Sequence, residues 1–167
     1  MAKVLGDRLR VNVARKAGEE QLIDLMALFN RNPNKIITVA GTVGADGAPN
    51  TCPLSLIYAR DEQTLLVATL RSTATTANLR RDGRVCLEVI AADDLVMGIR
   101  GVMRLLKEPM GCSEAMAMWE MRVCQVKQDT SSAQRVTQGP AATPRSEKAA
   151  AFEQAALAEL MAAARGE

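Results

Sequence analysis

Apolar side chains recur at helical spacing over residues 18–29. Leu22, Leu25, Met26 and Phe29 fall on one face, and the spacing predicts an amphipathic helix. The breakers Asn30, Arg31, Asn32, Pro33 and Asn34 end it. From there the period changes to two. Residues 35–43, rich in Ile, Thr and Val, read as a strand, and the Asp46-Gly47 pair supplies the positive φ of a hairpin turn over 44–49. The returning stretch 50–58 alternates, with Cys52, Leu54, Leu56 and Tyr58 to one side and Thr51, Pro53, Ser55 and Ile57 to the other. Pro53 cannot donate to a ladder, so this strand is predicted at an edge or bulged.

A second turn, Asp61-Glu62-Gln63, leads into a strand over 64–70. Residues 71–81 then break the β pattern and read as a short helix capped by Ser72 or Thr73. Two further strands, 84–91 and 95–106, flank a turn at 92–94, and Gly98 and Gly101 predict sharp curvature in the later one. Short antiparallel strands with regular turns predict a mainly β protein built on a small barrel. Beyond it, Met116, Trp119 and Val123, broadened by Met118 and Met121, have helical spacing over 113–126. Those methionines read as core packing rather than a lid. Residues 128–145 are a polar linker, and 146–164 an alanine-rich helix with Phe152, Ala156 and Leu160 on one side. The expected organisation is a barrel domain with its N-terminal helix over 1–126. Residues 127–167 then form a linker and helix packed on the same domain or on a partner subunit.

With two Phe, one Tyr and one Trp among 167 residues, the core must be built from aliphatic side chains and nine Met. A net charge of +2 excludes nucleic acid and anionic membrane as obvious partners. No segment approaches the roughly 20 apolar residues of a membrane span. Four cysteines (Cys52, Cys86, Cys112 and Cys124) without a CxxC pair, and no export signal, predict reduced thiols in a cytoplasmic protein. The absence of histidine removes the usual general base, the usual metal ligand and every Ser-His or Cys-His device. No metal site is expected, and any chemistry must come from a cofactor.

The segment from Leu70 to Val85 carries the most chemical information. It places Ser72, Thr73, Thr75, Thr76 and Arg71 between a strand end and a helix start. A phosphate is held by hydroxyls, by positive charge and by the free N–H groups of a helix amino terminus. The same hydroxyls also serve as plain helix caps. Arg80, Arg81 and Arg84 read as a solvated face, whereas Arg100 and Arg104, on one strand face with Val102, either reach a cofactor or face solvent.

The order of parts resembles a known family. Residues 37–43, then Asp46-Gly47-Ala48-Pro49 and Asn50-Thr51-Cys52-Pro53-Leu54, are similar to the opening hairpin of pyridoxamine-phosphate-oxidase-like flavoproteins. Val67-Ala68-Thr69 with Asn78-Leu79-Arg80-Arg81-Asp82-Gly83-Arg84-Val85 is similar to the stretch that follows, and residues 99–105 to the next strand. The resemblance covers about residues 22–107. It implies a six-stranded antiparallel split barrel, a homodimer, and flavin mononucleotide (FMN) at the subunit interface. It further implies that Thr51, Cys52, Pro53, Leu54 and Ser55 face the flavin ring. Thr69, Leu70, Arg71, Ser72, Thr75 and Thr76 would hold the phosphate, with Asn78 beside them. The implied function is that of an FMN-dependent oxidoreductase or electron-transfer protein with an unassigned donor or acceptor. A deazaflavin reductase and a cofactor-free binding or regulatory barrel are the rival readings. Two departures stand out. Ala74 and Thr75 lie where family members carry Lys or Arg. The absence of histidine also argues against pyridoxamine phosphate oxidase activity itself.

Overall fold

The computed structural model describes residues 24–31, 33 and 35–167. In chain order its elements are α1 (Leu25–Asn30), β1 (Thr38–Val43), β2 (Pro49–Leu54), β3 (Ile57–Asp61), β4 (Thr64–Leu70), α2 (Ala74–Arg81), β5 (Arg84–Ala91), β6 (Leu95–Lys107), β7 (Met116–Gln128) and α3 (Glu147–Arg165). All seven strands belong to one antiparallel sheet, ordered β2-β1-β5-β6-β7-β4-β3. The two edge strands, β2 and β3, are consecutive in sequence and separated only by Ser55 and Leu56. A sheet whose opposite edges are tied by two residues must roll on itself. It closes through the chain rather than through a ladder, which leaves a seam between β2 and β3.

Local chemistry sets the turns. Gly47 has φ +83°, and the Asp46 carboxylate accepts the Ala48 N–H at 3.0 Å, closing the β1–β2 hairpin. At the β5–β6 turn, Asp93 and Asp94 both adopt positive φ, a conformation Asp tolerates better than most residues. Gly101 stands where the β6–β7 register shifts, and a Cβ there would meet the Arg122 carbonyl at 2.4 Å. The curvature expected of Gly101 is therefore a bulge at which two backbones approach too closely for any side chain.

Two cores result. Leu65, Val67, Leu87, Ile99, Trp119 and Met121 fill the barrel, closed at one end by Leu25 and Phe29 of α1. Outside it, Leu66, Ala68, Met116 and Met118 pack under Leu160 and Phe152 of α3. Alternate residues of β4 and β7 serve different cores, so 65–69 and 116–119 are buried without interruption.

That double burial corrects the reading of residues 113–126. They form β7, not a helix, because a strand covered on both faces loses its polar alternation and its apolar run matches a helical stripe equally well. Stretch 50–58 is likewise two strands. Leu54 and Ile57 both pack on the inner core while Leu56 and Tyr58 pack on the outer one, so the alternation changes phase at Ser55-Leu56. The barrel accordingly has seven strands rather than six. The first helix begins at Leu25 in the described residues, with Asp24 as its cap, and residues 18–23 of the predicted helix lie outside them.

Candidate functional site

The seam opens into a pocket of about 250 Å3. Cys52, Pro53, Leu54, Ser55 and Leu56 form one wall, and Ala68, Thr69 and Leu70 at the end of β4 form another. Thr73 and Thr75 at the start of α2, Met116 of β7 and Phe152 of α3 complete it. Two stretches singled out separately in the sequence thus line one cavity, because β2 ends at the seam where β4 gives way to α2. Leu56, Ala68, Met116 and Phe152 were not among the predicted site residues. Phe152 lay on the apolar side of the last helix, but only packing of that helix on β3 and β4 reveals its place at the pocket.

α2 starts where expected. Thr73 is its cap, its hydroxyl accepting the Thr76 N–H at 3.2 Å. The first two helical amides, those of Ala74 and Thr75, reach no backbone acceptor among the described residues, as the geometry of a helix start requires. With the helix dipole they leave a positive end beside the pocket.

The predicted hydroxyls divide into two groups. Thr69 and Thr76 are consumed internally: the Trp119 indole N–H donates to Thr69 Oγ1 at 2.9 Å, Thr69 and Thr76 share a hydrogen bond of 2.8 Å, and Thr76 donates to the Leu70 carbonyl at 2.7 Å. This buried chain holds the end of β4 to the start of α2. Thr75, 2% exposed, accepts from Asn50 Nδ2 at 3.0 Å and keeps its own O–H unspent. Asn78 does not line the pocket; it is buried and donates to Thr42 Oγ1 at 3.1 Å, where Asn50 also donates. Asn50, the first residue of the predicted returning strand and not among the expected site residues, therefore ties β2 to both β1 and α2. Ser72 and Thr51 are exposed and do not line the pocket.

Arg71 is also outside the lining. Its guanidinium pairs with Glu108 and donates to the Glu114 carbonyl at 2.7 Å, while Arg80 reaches the same Glu108 oxygen. The hydrogen bonds from Arg80 and then Arg71 hold the Glu108 carboxyl below its ordinary range. Arg81 donates to the Val43 carbonyl, Arg84 pairs with Asp82, and Arg104 pairs with Glu120, which also binds Arg60. Arg100 is exposed. The cation nearest the turn is thus occupied by an internal carboxylate. Apart from Cys52, the pocket lining contains no side chain that titrates.

The fold has been seen before. The HupZ protein of Group A Streptococcus superposes with a TM-score of 0.53 at 18% identity, over 68% of this chain and 95% of that one. A Listeria innocua protein named for pyridoxamine 5'-phosphate oxidase gives 0.51 at 16% identity, over 64% and 96%. General Stress Protein 26 from Bacillus anthracis gives 0.50 at 11% identity, over 64% and 92%. No curated protein matches the sequence. The sequence pattern described as pyridoxamine 5'-phosphate oxidase matches residues 31–157, which span the barrel and most of the last helix, and the chain belongs to that family.

Proposed function

We propose that this chain is a flavin-binding redox protein that holds FMN at the seam pocket. The observation that carries the reading is the convergence of the β2 end (Cys52 to Ser55) and the β4–α2 turn on one cavity. The residues suit the cofactor. The free amides of Ala74 and Thr75, the unspent Thr75 hydroxyl and the exposed Ser72 hydroxyl are donors for a phosphate. Arg71 adds charge once it exchanges Glu108 for the phosphate. Leu54, Leu56, Met116 and Phe152 give an apolar bed for a ring system, and Cys52, Pro53 and Ser55 border it. When bound, FMN supplies hydride or electron transfer. The chain's own part is to bind, orient and keep water from the ring.

The proposed assembly is a homodimer. At about 250 Å3 the pocket is smaller than the roughly 300–1,000 Å3 usual for small-molecule sites, and a second subunit would add the missing wall. Leu70, Val102, Leu105 and Leu106 are exposed apolar side chains available to such a contact. Among the described residues no helix is long and apolar enough to cross a membrane, and the proposed setting is the cytoplasm, with a soluble electron donor or acceptor.

The test is the visible absorption of freshly purified protein, followed by FMN titration and mass measurement of any extracted cofactor. A flavin spectrum with FMN mass supports the proposal, and a deazaflavin mass replaces the cofactor. Colourless protein that takes up no added FMN defeats it. That last outcome would favour a cofactor-free binding barrel, the reading supported by Arg71 being paired with Glu108 and by the uncharged Ala74 and Thr75.

A further inference from the structure

A second cavity, of about 590 Å3, lies on the other side of Ser55. Its size is within the range of small-molecule sites. The tail between β7 and α3 builds it. The Asp94 N–H donates to the Val136 carbonyl at 3.0 Å, and the Val136 N–H returns a bond to the Asp94 carboxylate at 3.0 Å. Three residues on, Gly139 lies so close to β5 that a Cβ would meet the Ile90 carbonyl at 2.4 Å. The tail is thereby pinned to the barrel on both sides of the β5–β6 turn. Residues 140–144, with a proline at each end, then cross opposite the entry to β1. Each proline fixes its φ, so this wall is stiff. Ile37 and Leu157 supply apolar surface from β1's approach and from α3.

The charges in this cavity are unequal. Lys35 lines it and has no ion pair among the described residues. Glu153 also lines it but already takes part in an interaction of its own. Lys35 is exposed at the rim of a cavity of mixed lining, in which Ile37 and Leu157 are the apolar part, and an unpaired ammonium so placed favours a ligand with a negative end and an apolar body. We propose that this cavity is a binding site for a small organic anion with an apolar body, its charged end at Lys35 and its body against Ile37 and Leu157. The site is separate from the flavin reading and would stand if the seam pocket bound nothing. Ser55, which lines both cavities, is the wall they share.

Octanoate is the probe, with octylamine and octanol as the positive and neutral controls of similar length. In amide-resolved NMR of the full chain, octanoate is expected to shift Ile37, Ala141 and Leu157 saturably, while both controls bind at least about threefold more weakly. Lys35→Ala is expected to weaken octanoate about three- to fivefold and Lys35→Arg to keep most of the affinity, with FMN titration unchanged in both. The proposal is overturned if millimolar octanoate leaves those amides unmoved. It is equally overturned if octylamine or octanol matches octanoate, or if Lys35→Ala binds octanoate as the parent does.

Discussion

Thr69→Val isolates the buried hydroxyl chain at the end of β4. Valine keeps the shape of threonine, so no cavity term is added, but the acceptor of the Trp119 indole N–H disappears. Trp119 is 1% exposed, so water cannot replace that acceptor in the folded protein. An orphaned buried donor costs about 1–3 kcal/mol. Thr76 retains the Leu70 carbonyl, and no second group is stranded. With a urea dependence of about 2 kcal/mol per molar, the unfolding midpoint should fall by about 0.5–1.5 M. Trp119 is the chain's single tryptophan, so its fluorescence follows the transition at the altered site itself. FMN affinity should stay within about twofold, since the Thr69 hydroxyl is turned into the fold and not toward a ligand. A double-mutant cycle with Trp119→Phe, followed by far-UV circular dichroism, should return a coupling of at least about 0.5 kcal/mol. A midpoint unmoved by Thr69→Val, or a flavin affinity that falls while stability holds, would refute the division of the hydroxyls into structural and ligand-facing groups.

Arg71→Ala should weaken FMN about tenfold and Glu108→Gln should strengthen it several-fold, because the first removes the cation and the second frees it; a flavin titration reads both. Gly101→Ala should cost about 1–3 kcal/mol in chemical denaturation, since its Cβ would strike the Arg122 carbonyl. Burial raises the Glu159 carboxyl, but Lys107 and the amides of Gly111 and Cys112 outweigh it and leave the group at about 2. Its folded value lies below its ordinary 4.5, so this contribution is complete above that pH and is lost as pH falls toward 2. After screening at the half-exposed Lys107 it amounts to about 1 kcal/mol, and Glu159→Gln should flatten that limb of a stability-against-pH curve.

Much of this architecture is legible in the residues. Asp46-Gly47, Pro53, Thr73 and the alanine-rich last helix each announce their role through backbone chemistry that acts over a few positions. The reading fails where burial is set from a distance. Met116 to Trp119 lose their alternation because Met116 and Met118 pack under Leu160 of α3 while Ala117 and Trp119 fill the barrel, and no local signal reveals that cover. The same limit applies at the site. Spacing gathers Thr69, Thr75 and Thr76 as equivalent hydroxyls, but the indole 50 residues away decides that Thr69 and Thr76 serve the fold while Thr75 keeps a free hydrogen. Arg71 is similar, since its partner Glu108 is 37 residues on.

The placement of β2 at the sheet's edge has a consequence for how copies of this chain meet. Pro49 and Pro53 stand at positions of equal parity on that strand, and prolines in sheets turn their missing donor outward. Along that rim Thr51 alone of the three can offer an N–H to an incoming backbone. Strand-to-strand extension is thus weakened on this flank by two missing donors, and aggregation by that route is disfavoured.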